Sequence, residues 1–138
     1  MPHPLDDAVI LVARLFLAPL YLIFGWRKLR DYAGTVAQIA HDGAPMPRIA
    51  AVIAILMELP VSAAIALGAA TRPLAALMAL YTLGTSLIEH RYWTIKGPDW
   101  LDKMEAFYKN LAIMAGFALL VVTGAGPYSL DAKLKKEL

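Results

Sequence analysis

Residues 48–70 read RIAAVIAILMELPVSAAIALGAA, an apolar run that carries one carboxylate, Glu58, and a proline two residues later, Pro60. A bilayer core about 30 Å thick takes roughly 20 residues of helix, so the stretch 48–69 is read as a membrane span. With 1.5 Å of rise per residue, Glu58 lies roughly 15 Å from Arg48, close to the midplane. An acidic side chain at that depth costs roughly 2.5–3.5 kcal/mol, so Glu58 is expected to face the bundle interior, a watery cavity or a counter-charge. Pro60 has no N–H to give. The carbonyl of Leu56, four residues earlier, is therefore expected to need water, a side chain or a ligand as its donor.

Three further runs have the same character, at residues 8–26, 73–90 and 105–123. The chain is 59% hydrophobic and 17% charged, and its mean hydropathy is +0.57, which is too apolar for a soluble domain of 138 residues. The expected fold is all-α: an integral membrane four-helix bundle formed by one domain over residues 1–138. The segment MPHPLDD is acidic and lacks a basic n-region, so the first run is read as an uncleaved span. The connection GAATR at 68–72 is so short that the second and third spans must form an antiparallel hairpin, whereas the connections at 27–47 and 91–104 are longer. Trp26, Tyr92, Trp93 and Trp100 gather at the longer connections, as in an aromatic belt.

Cysteine is absent, which excludes disulfides, thiolate nucleophiles and iron–sulfur ligation. Any redox role then rests on a bound cofactor or a partner. The net charge of +2 comes from basic residues beside the spans, so nucleic acid is not a partner. Four spans put both termini on one side. The opposite, connection side holds Arg27, Lys28, Arg30, Arg48, Arg91, Lys96 and Lys103, and the terminal side holds Arg72, Lys133, Lys135 and Lys136. The positive-inside rule thus leans toward termini outside and both longer connections in the cytoplasm.

Two polar groups are expected within the spans. Arg14 lies roughly 10 Å beyond Asp7 on a helix antiparallel to the second span, which predicts an Arg14–Glu58 ion pair. Small residues share both faces: Ala51, Ala54, Ser62 and Ala66 with Glu58, and Ala18 and Gly25 with Arg14, Lys28 and the pocket candidate Tyr21. The second group, nearer the connection side, comprises Lys28, Glu89, His90, Lys109 and Asn110, with Thr82, Thr85 and Glu89 as one stripe. A ligand head group could meet all of these. Buried ion pairs also fix helix register, so packing and ligand binding both remain open here. There is no second histidine within a span and no Glu-x-x-His pair, so no metal site is expected.

Arg14, the stretch Gly25-Trp26-Arg27-Lys28-Leu29, Glu58, Gly68 with Thr71-Arg72, Lys109-Asn110-Leu111 and the exit Gly124-Ala125-Gly126-Pro127-Tyr128-Ser129-Leu130-Asp131 occur in an order that resembles the DoxX family. The resemblance implies a small multi-pass protein of the bacterial inner membrane, often linked to redox partners. Relatives include the DoxD membrane subunit of thiosulfate:quinone oxidoreductase. It implies no covalently bound cofactor, a quinone as the ligand, a redox protein as partner, and assembly as a complex subunit or homo-oligomer. A scaffold for redox or stress partners and an oligomeric proton-coupled carrier are the alternative readings.

Overall fold

The computed structural model describes residues 3–134; Lys135 and Lys136, counted above on the terminal side, lie outside them. The first helix, α1 (Pro4–Arg30), starts at a capping box in which the His3 imidazole accepts from the Leu5 N–H and the Asp6 carboxylate accepts from the His3 N–H. Asp6 and Asp7 in the first turn and Arg27, Lys28 and Arg30 in the last complement the helix dipole. The helix overruns the apolar stretch at both ends and rises about 40 Å.

The long connection, given no element in the sequence reading, folds as a second helix, α2 (Tyr32–His41). Asp31 caps it by accepting from the Gly34 N–H at 3.1 Å, and the Tyr32 hydroxyl donates to the Arg48 carbonyl at 3.0 Å. That bond lays α2 beside the start of the third helix, α3 (Pro47–Leu67). A tight turn at Gly68–Ala70 leads into α4 (Thr71–Glu89). A 3-10 turn at Tyr92–Thr94 precedes α5 (Trp100–Thr123), and the exit loop ends in the short helix α6 (Leu130–Lys133).

Four long helices close a ring in which α1 packs on α3, α3 on α4, α4 along α5, and α5 on α1. Ile65, Ala75, Met78, Phe117 and Leu120 fill its centre. Outward, Val9, Phe16, Leu80, Leu119 and Val122 are exposed, which suits a surface facing acyl chains rather than water. By length and composition, α1, α3 and α5 can each cross a membrane. The 19 residues of α4 rise about 28 Å, close to the hydrocarbon thickness, and its Thr71, Thr82 and Ser86 are buried inside the ring. The chain is thus an all-α membrane bundle.

Helices α1 and α3 meet most closely at Gly25. A Cβ built there would stand 2.8 Å from the Glu58 Cβ and 3.0 Å from the Glu58 carbonyl carbon, so only glycine permits this approach. Gly25→Leu is expected to cost about 3 kcal/mol by forcing the helices apart, read as a fall in the thermal unfolding midpoint in detergent. An unchanged midpoint would show that the contact is dispensable.

Candidate functional site

Around Glu58 the third helix is not α-helical. Residues Met57–Val61 form a π-helical turn containing both Glu58 and Pro60, between α-helical stretches Pro47–Leu56 and Ser62–Leu67. Bonding in a π turn runs from residue i to i+5, so the carbonyl that Pro60 would orphan is offered the next N–H along the same helix. The Ser62 hydroxyl also donates to the Met57 carbonyl at 3.4 Å. The expectation that water or a ligand must serve the proline gap is thereby corrected: the helix closes it by widening.

Glu58 is buried, and each oxygen has one partner. Oε1 accepts from the Lys28 ammonium at 2.9 Å, and Oε2 accepts from the Tyr81 hydroxyl at 2.9 Å. The expected Arg14–Glu58 pair does not form. The Gly25 contact fixes the level of Glu58 on α1, and Arg14 lies 11 residues away, roughly 16 Å along the axis. The expected pairing assumes that the two antiparallel spans cover the same range of heights, with their ends level. In the fold, α1 ends only five residues past Gly25 while α3 begins eleven residues before Glu58, so α3 extends further toward the connection side.

Arg14 is held at the opposite end of α3. Its Nη2 donates to the Tyr128 carbonyl at 2.5 Å, and the guanidinium lies against Gly68, where any Cβ would collide with it and with Ser129. Gly68 has φ of 73°, a left-handed conformation that suits glycine for a second reason. Asp131 supplies a negative charge nearby. Its carboxylate accepts from the Ala70 N–H at 2.7 Å and the Thr71 N–H at 3.0 Å, and its own N–H donates to the Gly68 carbonyl at 2.9 Å. The exit segment therefore clasps the α3–α4 turn, with Arg14 beneath it. Asp131 and Tyr128 were not singled out as partners from sequence, although both stand in the exit stretch that carried the family resemblance.

The other seven expected residues converge. Tyr21, Lys28, Glu58, Glu89, His90, Lys109 and Asn110 line one cavity of about 420 Å³, together with Tyr81, Thr85 and the apolar Leu20, Phe24, Ala106 and Ile113. Its side walls come from α1 and α5, with α3 and the connection-side half of α4 between them. Asn110 turns inward and donates to the Ser86 hydroxyl at 2.9 Å, whereas Lys109 sits on the rim, exposed and 3.7 Å from Glu105. The Tyr21 and Thr82 hydroxyls are 2.6 Å apart, and the Tyr21 ring stacks against Phe117 at 5.8 Å. Thr82 thus belongs to the bundle interior, and the cavity stripe on α4 is Tyr81, Thr85 and Glu89. The spacing of four residues from Tyr81 to Thr85 and again to Glu89 is the signal in the sequence that the three share a face.

Among the described residues, no cluster of three or more histidine, aspartate or glutamate side chains could hold a metal ion. Chemically, the arrangement offers hydrogen-bond donors and a titratable carboxylate at one end of a mostly apolar chamber.

Comparison with known proteins places these features in a lineage. The family model for DoxX matches residues 9–91. Inner membrane protein YphA of Escherichia coli (strain K12) is 45% identical over 125 residues, covering 91% of this chain and 89% of the relative. Inner membrane protein YqjF of the same strain is 38% identical over 133 residues, covering 96% and 97%. No solved structure matches significantly. The ring of helices, the Lys28–Glu58 cavity and the Arg14 clasp are therefore those of a multi-pass inner-membrane protein that belongs to the DoxX family.

Proposed function

We propose that the cavity binds the head group of a quinone, and that the protein is the quinone-interacting membrane subunit of a redox assembly. The observation that carries this reading is a buried carboxylate held by an ammonium and a phenol at the wall of a partly apolar intramembrane cavity. A volume of about 420 Å³ lies within the usual range for small-molecule sites, roughly 300–1,000 Å³. Leu20 and Phe24 on α1 and Ala106 and Ile113 on α5 give the cavity apolar lining for a ring beside its polar residues. A quinone supplies reversible two-electron, two-proton chemistry when bound. The chain's own part is to hold it and manage protons.

While Glu58 is ionised, Lys28 and Tyr81 both point their hydrogens at it. Protonation of Glu58 weakens that hold and frees both donors for a carbonyl oxygen, so binding and proton uptake are linked at one carboxylate. With no thiol on the chain, electrons come from a partner protein. The excess of basic residues at the longer connections supports a cytoplasmic position for them, and with it for such a partner.

The test is equilibrium binding of a soluble short-chain quinone analogue to detergent-purified protein. Wild type is expected to bind, and Tyr81→Phe, which removes one of the two donors, to bind at least about tenfold more weakly, a loss of about 1.4 kcal/mol, with a stability change of only about 1 kcal/mol. If wild type does not bind, or the variant binds equally well, the pair serves packing alone and the scaffold reading takes its place.

A further inference from the structure

The Glu58 cavity does not end at Lys28. A second, wider cavity of about 650 Å³ lies on the connection side, and Phe24, Lys28, Glu89 and His90 line both. Asp42, after α2, and Lys103, on α5, stand on its polar wall with Arg27, Arg30, Asp31 and Gln38. Lys103 donates to the Glu89 carbonyl at 2.5 Å and lies 3.6 Å from Asp42, so this mouth is ordered by charges from three elements. On its wall, His90 has a buried Nδ1 that makes no hydrogen bond among the described residues. Imidazole is the side chain that most readily takes up and releases a proton, so His90 suits a relay.

On the other side of Glu58 the bundle is closed. Below the Tyr21–Thr82 hydrogen bond, Ile65, Met78, Phe117 and Leu120 are almost fully buried and offer no titratable group. Beyond them stands the Arg14 guanidinium, whose fixed positive charge repels a migrating proton.

We propose that Glu58 exchanges protons with the connection side alone, through His90 and Glu89. A proton from water on that side binds His90 or the Glu89 carboxylate and passes, past Lys28, to the Glu58 carboxylate. Glu58 becomes a neutral acid, the relay group returns to its starting form, and Lys28 keeps its own proton throughout. The net change is one proton moved from one aqueous face to Glu58. The inference rests on the cavity described above and not on which molecule occupies it.

The experiment uses the full chain in sealed liposomes, with orientation read from a single cysteine at Thr94; the native sequence contributes no competing thiol. A hydrophobic carbodiimide, which modifies protonated carboxyl groups, is added while the pH of each face is set separately, and modification of Glu58 is quantified by mass spectrometry. Labelling is expected to rise several-fold as the connection-side pH falls and to stay constant when only the terminal side is acidified. The combination Glu89→Gln with His90→Ala is expected to abolish most of that response. Equal response from both faces, response from the terminal face only, absence of Glu58 labelling at every pH, or an undiminished response in a folded double variant would each overturn the proposal. If the double variant does not fold, the sidedness of wild type still decides. No quinone is present in this assay, so failure of analogue binding and failure of one-sided access are separate results.

Discussion

Replacing Lys28 with methionine is expected to lower the stability of the bundle by about 3 kcal/mol, because it leaves the Glu58 carboxylate buried with only the Tyr81 hydroxyl as partner. The figure is the lower end for breaking a buried pair, since the lysine side chain is 24% exposed while that of Glu58 is 6% exposed. Removing both charges, as Lys28→Met with Glu58→Met, is expected to recover most of the loss, since no uncompensated charge then remains. A cycle of these variants, measured by reversible unfolding in mixed micelles, should give a coupling energy of about 1 kcal/mol or more. The matching cycle for Arg14 and Glu58 should be additive within about 0.5 kcal/mol, because roughly 16 Å of helix separates them. Strong coupling in the second cycle and none in the first would mean that the helices are offset differently from the structure described above.

Asp131→Ala is expected to cost about 3–5 kcal/mol, an effect out of proportion to a residue in the last turns of the chain. The substitution removes two charge-assisted bonds to the Ala70 and Thr71 N–H groups and the negative charge beside Arg14, whose Nε and Nη1 make no hydrogen bond among the described residues. Ala70 has φ of 48°, a left-handed conformation costing about 1–2 kcal/mol in a residue with a Cβ, and the Asp131 carboxylate is what holds it there. Asp131→Asn keeps one acceptor and is expected to lose less than the alanine. The measurement is the unfolding midpoint of full-length protein in detergent, with limited proteolysis after Leu67 as a local readout. A midpoint within about 1 kcal/mol of wild type would show that the exit segment does not clasp the turn.

The helical bundle was legible because its signal is additive: each apolar run of about 20 residues argues for a span by itself. The cavity was legible for a related reason. Lys28, Glu89 and His90 lie at helix ends, and Asn110 in the first half of its helix, all of which chain direction alone places toward the same side. Arg14 was misplaced because pairing across two helices depends on their relative offset, which is set by the Gly25 contact and by how far α3 projects past α1; neither is a local property of the sequence. Tyr81 was passed over because a tyrosine on an apolar helix is more often a packing residue. Helix α2 went unread because its apolar face has a partner only once the start of α3 lies beside it.

The widened turn at Met57–Val61 has a consequence for the whole of α3. Holding one more residue than an α-helical turn, it twists everything after it by about 100° relative to everything before. The half carrying Ala51 and Ala54 and the half ending at Gly68 are phased independently, so the carboxylate can look toward Lys28 while the far end presents its bare glycine to Arg14. Straightening the rod by deleting one residue would satisfy one of these appointments and miss the other.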